Sequence, residues 1–297
     1  MTEPIAVFDR HAVRRHRDRA APGLSAHDFL FCEVATRLTE RLDDITRHFP
    51  LALDLGCHTG ELGRRLTGRG GIEQLVQSDL SAEMAIRAGP LALVADEETL
   101  PFTDGSLDLV MSSLNLHWVN DLPGALVQIR RALKPDGLFL AAMIGGGSLV
   151  ELRESLLAAE LEHEGGAGPR VSPFADVPDA GALLQRAGFA LPVVDSDRIT
   201  VTYPHPLALM TDLRGMGESN ALTDRRRRFT RRATLYAAAR IYGERHADAD
   251  GRIHASFEIL YLTAWAPHGS QPRPAAQGSG QIDLGIALKD DPEKGSV

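Results

Sequence analysis

The stretch Leu51 to Leu55 is a short apolar run interrupted only by Asp54; it stops at Gly56, and Gly60, Leu62 and Leu66 then open a helical spacing. Strand, tight turn and helix in that order form half of a βαβ unit. The alternation continues with a strand near Leu75 to Gln77, a helix from Ser81 and Glu83, strands at Leu91 to Val94 and Leu107 to Met111, and a helix from Pro123 to Leu133. A Lys134-Pro-Asp-Gly137 turn then leads into the apolar strand Leu138 to Ile144. Strands alternating with helices call for a parallel sheet covered on both faces, so the expected architecture is a doubly wound, mostly parallel α/β sheet.

Apolar side chains at Phe29, Leu30, Val34, Leu38, Leu42 and Ile45 predict an amphipathic helix over 26–48, ahead of the first strand. Beyond Gly147 the pattern predicts helices over 149–161 and 180–187, a Gly/Pro loop over 165–173 between them, and a strand over 193–201. A helical insertion over 205–247 follows, and then a last strand over 253–264 that alternates like a sheet edge. The expected organisation is an N-terminal helical segment 1–48, an α/β domain 49–266 carrying the insertion, and a flexible tail 267–297 rich in Gly, Pro, Ser and charge.

The net charge of -8 argues against a nucleic-acid partner, because binding a polyphosphate depends on neutralising its phosphates. Cys32 and Cys57 are the only cysteines and form neither a CxxC pair nor a metal-ligand spacing, which fits a reducing compartment. No run approaches the roughly 18 apolar residues of a membrane span, and no secretory signal opens the chain. The simplest expectation is a cytoplasmic protein.

In an open parallel sheet, ligands sit outside the carboxyl ends of the strands, so the residues just after each strand are the informative ones. The first turn reads Asp54-Leu-Gly56-Cys57-His58-Thr59-Gly60, and its glycines let the backbone approach a ligand closely. The second strand ends in Asp79, where a carboxylate accepts both hydroxyls of a ribose. After the third strand comes Asp96-Glu97, with Asp96 placed to accept from an adenine amino group. The glycine spacing is not the G-x-G-x-x-G of dinucleotide sites, and no G-K-[ST] follows for a P-loop. After the fourth strand, Ser113, Asn115, His117 and Trp118 are the substrate-side candidates.

Taken together, the Asp54 to Gly60 turn, Asp79-Leu-Ser-Ala-Glu-Met84, Asp96-Glu97 with Leu100-Pro-Phe102, and Lys134-Pro-Asp-Gly137 resemble class I S-adenosylmethionine-dependent methyltransferases over residues 50–145. The resemblance implies a Rossmann-like seven-stranded sheet. It also implies S-adenosyl-L-methionine held by Asp54, Gly56, Cys57, His58, Gly60, Asp79, Leu80, Asp96, Glu97 and Ser112, with no metal site. That family usually has glycine where this chain has His58.

A finer likeness covers nearly the whole chain. Val7-Phe-Asp-Arg10, Ser113-Leu-Asn-Leu-His-Trp118-Val-Asn-Asp121, Asp212-Leu-Arg-Gly-Met-Gly-Glu-Ser-Asn220 and the Pro-rich tail are similar to the methyltransferase-fold family of mitochondrial complex I assembly factors. This implies hydroxylation of an arginine in a quinone-site subunit of NADH dehydrogenase. The Leu116-His-Trp-Val119 segment also resembles the malonyl carrier-protein O-methyltransferases of biotin synthesis, whose partner is an acyl carrier protein. A non-catalytic assembly chaperone is the third alternative. For oxidising chemistry one looks for two histidines and a carboxylate around iron, and no spacing of His58, His117 and His205 supplies them. The Asp212 to Asn220 segment reads as a substrate-facing lip, and Arg225 to Arg232 as a solvated run with affinity for an acidic partner. Arg14, Arg15, Arg17 and Arg19 offer a face for peripheral contact with a membrane-bound partner.

Overall fold

Seven strands form one sheet in the order β3-β2-β1-β4-β5-β7-β6. The structure, a computed structural model, describes residues 6–172 and 176–272. The strands are β1 (Leu51–Leu55), β2 (Gln74–Asp79), β3 (Ala92–Val94), β4 (Leu107–Ser113), β5 (Leu133–Ile144), β6 (Ala190–Tyr203) and β7 (Ile253–Trp265). The first five run parallel, and β7 lies antiparallel between β5 and β6. From β1 the chain steps outward to β2 and β3, then returns to β4 on the other side. The switch point therefore falls between β1 and β4, where a parallel sheet opens a crevice at its carboxyl ends.

Helices cover both faces because the strands alternate. In β5, Leu138, Leu140, Ala142 and Ile144 face one core, while Phe139, Ala141 and Met143 face the other. The first core is closed by α2 (Phe29–Asp43), α6 (Val150–Glu164) and α9 (Arg232–His246) through residues such as Phe31, Leu38, Leu152, Ile241 and Tyr242. The second is closed by α5 (Leu122–Ala132) and α7 (Val177–Arg186) through Leu126, Ile129 and Leu184. Each such aliphatic side chain contributes about 1.5–3 kcal/mol on burial. The remaining helices are α1 (Arg10–Ala20), α3 (Glu61–Arg65), α4 (Ala82–Ala88) and α8 (Pro206–Gly215). Four start on side-chain caps that satisfy free N–H groups: Asp9 for α1, Ser81 for α4, Asp121 for α5 and His205 for α8.

Several expectations change. The strand expected at the sheet edge, β7, is interior, with a nearly continuous buried pattern, and the true edge is β6, whose outer positions alternate into solvent. The Lys134 to Gly137 turn is absorbed into β5 as an irregularity; Asp136 takes φ 65 there and the register against β4 shifts. The helix expected over 26–48 is α2, ending at Asp43 and preceded by a 3-10 segment, Ala21–Ala26. In the insertion only α8 and α9 are helical, so the basic residues Arg225 to Arg228 sit on an irregular loop. Six arginines in eight positions left no apolar stripe to hold a helix against the core. Of the tail 267–297, residues 273–297 lie outside the described residues, as does Pro173 of the Gly/Pro loop. Among the described residues no helix is long and apolar enough to cross a membrane.

Candidate cofactor and substrate site

The turn after β1 puts Gly56 at φ 73, His58 at φ 49 and Gly60 at φ 92. A Cβ on Gly56 would lie 2.0 Å from Cγ of Asn115, and one on Gly60 would lie 2.8 Å from the Ala88 carbonyl. The backbone thus packs directly against the β4 turn at Gly56 and against the end of α4 at Gly60, which only glycine permits. His58 occupies the left-handed region without being glycine, a conformation that costs about 1–2 kcal/mol. Its ring is held by Phe31, centroid to centroid 4.3 Å, and by the Leu114 carbonyl 3.2 Å from Nε2. A carbonyl only accepts, so Nε2 carries the proton and Nδ1 is left as a bare acceptor. Burial, helped by the Arg17 charge, lowers the His58 pKa to about 4, so the ring is neutral at pH 7.

Asp54 is fully buried, and burial raises its pKa to about 7 against a weak contact of 3.4 Å from the Gln77 amide. Burial likewise pushes the Cys57 thiol up, which makes it a packed side chain without thiolate character. Asp79 closes β2. Its carboxylate accepts from the backbone N–H of His58 at 3.1 Å and of Ser81 at 2.8 Å. It also takes the guanidinium of Arg17, from α1, at 3.3 Å to each oxygen. Arg17 is 1% exposed, donates to Asn115 at 2.5 Å and pairs with Glu97 at 3.6 Å. Burial works against its charge, and the carboxylates of Asp79 and Glu97 more than restore it.

Arg10, on the same helix, pairs with Asp96 at 2.7 Å and with the buried Glu97. Leu80 packs against the small apolar cluster that contains Phe8 and Trp118. Ser112 is spent on the Leu55 carbonyl at 2.7 Å, tying β4 to β1. Buried atoms of the set that have no hydrogen-bond partner among the described residues include Asp54 Oδ1, His58 Nδ1, Ser113 Oγ and Asn115 Nδ2. Unsatisfied polar atoms are costly to bury, and four at adjoining strand ends mark a place built for a polar ligand. His117 and Trp118, from the turn after Asn115, both meet Glu218 of the insertion: His117 Nε2 lies 3.1 Å from it and Trp118 Nε1 donates at 2.9 Å. Burial opposes the Glu218 charge, but His117 and Arg17 outweigh it and hold its pKa below the usual value.

The candidates from Asp54 to Gly60, Asp79, Glu97, Ser113, Asn115, His117 and Trp118 thus gather around the switch point. Asp96 is the outlying one, its side chain 38% exposed. His205 stands apart and caps α8 by accepting from Ala208. Among the described residues no His/Cys/Asp/Glu group has the arrangement of a metal site. Arg10, Arg17 and Glu218 stand in stretches that the sequence marked, but none was assigned to the site. Arg10 and Arg17 are two helical turns apart, a spacing that shares one face, but neighbouring arginines at 14, 15 and 19 made the set read as an exposed cluster. Glu218 lies in the Asp212 to Asn220 segment read as a substrate-facing lip, but nothing within that segment singles the residue out, because its partners lie about a hundred residues away.

This fold is the one seen in methyltransferases of class I. A putative methyltransferase from Bacillus halodurans superposes with a TM-score of 0.55 at 15% identity, covering 80% of this chain and all of that one. Haemonchus contortus phosphoethanolamine N-methyltransferase 2, solved with S-adenosyl-L-methionine, gives 0.54 at 18% identity, covering 86% of this chain and 60% of that one. Residues 53–141 match a methyltransferase-domain family. Over almost the full length the chain is 46% identical to the mitochondrial arginine-hydroxylase NDUFAF5 of Danio rerio, covering 94% of this chain and 88% of that protein. The human protein of that name is also 46% identical, covering 95% of this chain and 83% of its own length. A malonyl-[acyl-carrier protein] O-methyltransferase of Xylella fastidiosa is 37% identical, covering 88% and 89%. The chain is therefore an enzyme of methyltransferase-like fold. It belongs to the methyltransferase-fold family that includes arginine-hydroxylase NDUFAF5.

Proposed function

We propose that this chain binds S-adenosyl-L-methionine at the switch point and acts in the cytoplasm on an arginine of a respiratory NADH dehydrogenase subunit, by hydroxylation, with dioxygen supplying the inserted oxygen and an external two-electron donor reducing the second oxygen atom to water. The observation that carries the cofactor reading is the wholly buried Asp79, oriented by two backbone N–H groups beside the Gly56 turn. The residues fit the group: a carboxylate for ribose hydroxyls, a glycine backbone for close approach, and buried polar atoms still seeking partners. S-adenosyl-L-methionine, when bound, supplies a sulfonium-activated methyl group. Asp79 would hold the ribose, which requires Arg17 to give up its two contacts there. Asp96 and Glu97 would receive the adenine side, Gly56 and Gly60 the backbone contacts, and His117 and Trp118 would stand on the substrate side. The target is carried by the relatives, which at 46% identity bear the arginine-hydroxylase name.

The malonyl carrier-protein reading has one observation of its own, a pair of exposed arginines, Arg19 and Arg214, lining one cleft beside the site. Mass spectrometry of the partner subunit from a strain lacking the gene separates the two. Loss of one added oxygen from an arginine supports hydroxylation. An unmodified subunit in both strains, together with methyl transfer to malonyl carrier protein, would replace this reading by the second.

A further inference from the structure

Three neighbouring cavities, each sharing lining residues with the next, lie between the surface and the first turn. The outer one, about 450 Å³, lies between α1 and α8 and is lined by His16, Arg19, His27, Arg214 and Ser219. It shares Arg214 and Ser219 with a second cavity of about 210 Å³, whose wall is Trp118 and Glu218. That one shares Leu213 and Glu218 with a small inner cavity of about 30 Å³ bounded by Phe31 and Leu114. Phe31 and Leu114 are the residues that touch His58, so the path ends against the proposed cofactor turn.

Charge changes sign along this path. Arg19 and Arg214 are exposed at the mouth and make no ion pair among the described residues, on a chain whose net charge is -8. Arg170, farther in, is already neutralised by Glu160. At the inner end stands Glu218, 16% exposed, held below its usual pKa and therefore a carboxylate. Trp118 Nε1 and His117 Nε2 fix its orientation, and Trp118 takes Oε1 only at 3.2 Å, which leaves acceptor capacity toward the cavity. A carboxylate so placed attracts a guanidinium and repels a second carboxylate.

We infer that Glu218 is the substrate-binding residue that seats the guanidinium of the target arginine, and that Arg19 and Arg214 select acidic residues flanking it. This rests on the arginine reading above and adds the groove and the shape of its substrate. The cationic mouth, which by itself fits a malonyl carrier arm, becomes a docking rim for acidic flanks, because the interior carboxylate is wrong for a malonyl carboxylate.

The test uses the full chain with Trp265→Phe, leaving Trp118 as the only tryptophan and thus a reporter on the cavity wall. The probes are a synthetic peptide with one arginine between glutamates, its citrulline twin of equal size without charge, a serine-flanked arginine peptide, and malonate. The arginine peptide is expected to bind roughly 10- to 100-fold more tightly than the citrulline twin, and Glu218→Gln to abolish that preference while Glu218→Asp keeps part of it. Arg214→Glu should weaken the glutamate-flanked peptide and leave the serine-flanked one unchanged. S-adenosyl-L-methionine affinity, measured by calorimetry, should be unchanged in Arg214→Glu. If Glu218→Gln retains the arginine preference, Glu218 is not the anchor although the arginine reading stands. If the unmutated residue at 218 gives no preference over citrulline, or malonate binds while the peptides do not, the arginine reading falls and this inference with it; that arm needs no variant to fold.

Discussion

The two halves of the sheet are built differently. In the parallel half, β3-β2-β1-β4, each strand runs directly into a short turn, and the residue that matters is the next one or two in the chain. In the antiparallel half, β5-β7-β6 with the α8/α9 insertion, the residues that meet the site come from far away. Glu218 reaches His117 across 101 positions, and the Phe8 ring packs edge-on against Trp118 at 5.3 Å. The first half is the proposed cofactor cradle, determined by local chain geometry. The second is a wall assembled only when the whole domain has folded, whereas α1 stitches the strand ends of the first half together, Arg10 through Asp96 and Glu97 and Arg17 through Asp79 and Asn115.

The largest test strikes that stitch. Asp79→Ala leaves the 1%-exposed Arg17 without its main counter-charge. Removing one partner of a buried pair costs about 3–5 kcal/mol, and Glu97 and Asn115 hold the loss to the lower end. Urea unfolding should show a loss of about 3 kcal/mol, and calorimetry a loss of S-adenosyl-L-methionine binding. Adding Arg17→Met to Asp79→Leu should restore part of the stability and none of the binding, because the His58 and Ser81 N–H groups stay without their acceptor. Unchanged cofactor affinity in Asp79→Ala would overturn the ribose assignment.

The same contrast explains what was legible. The cradle could be read because Gly56, Gly60, Asp79 and Glu97 follow strands whose apolar patterns are plain, and the parallel architecture fixes what lies at strand ends. The order of β6 and β7 could not, since alternation over 253–264 looks like an edge until the burial of both faces is seen. Arg17 and Glu218 escaped for a related reason: a charged residue reads as solvated unless its partner is known, and both partners are distant in sequence.

Gly56→Ala tests whether the cradle is as tight as its backbone implies. The added Cβ meets Asn115 Cγ at 2.0 Å in a left-handed conformation at φ 73. Left-handed strain and overpacking together should cost about 2–4 kcal/mol. Asn115→Ala should relieve the clash but not the strain, so the double variant recovers part of the loss in the same urea titration.

Asp54 gives the cradle a pH signature. Its folded pKa of about 7 is above the ordinary carboxylate value, so the native state binds the extra proton. The stabilisation is full below the unfolded pKa and is lost as pH rises through about 7. Stability should fall by on the order of 2 kcal/mol between about pH 5 and 8, and Asp54→Asn should remove that slope. His58 runs the other way, with its folded pKa of about 4 giving stability that is present above the unfolded value and lost on acidification. The two signs are separable because Asp54→Asn leaves the acid-side loss intact.

The smallest effect belongs to the antiparallel edge, where an arginine and an aspartate also meet. Arg41 of α2 grips Asp195 of β6 through two contacts of 2.6 and 2.7 Å, with its guanidinium 4.1 Å over the Tyr261 ring. In geometry this pair is better than Arg17 with Asp79, yet its side chains are 33% and 44% exposed. Water screens the attraction and solvates either partner left alone, so Asp195→Ala should cost only about 0.2–1 kcal/mol and less in high salt. The Arg41 stack on Tyr261 survives that change, which keeps the loss small. A loss at Asp195 equal to that at Asp79 would mean that burial is not what separates the two halves, and that the cradle owes its strength to hydrogen-bond geometry alone.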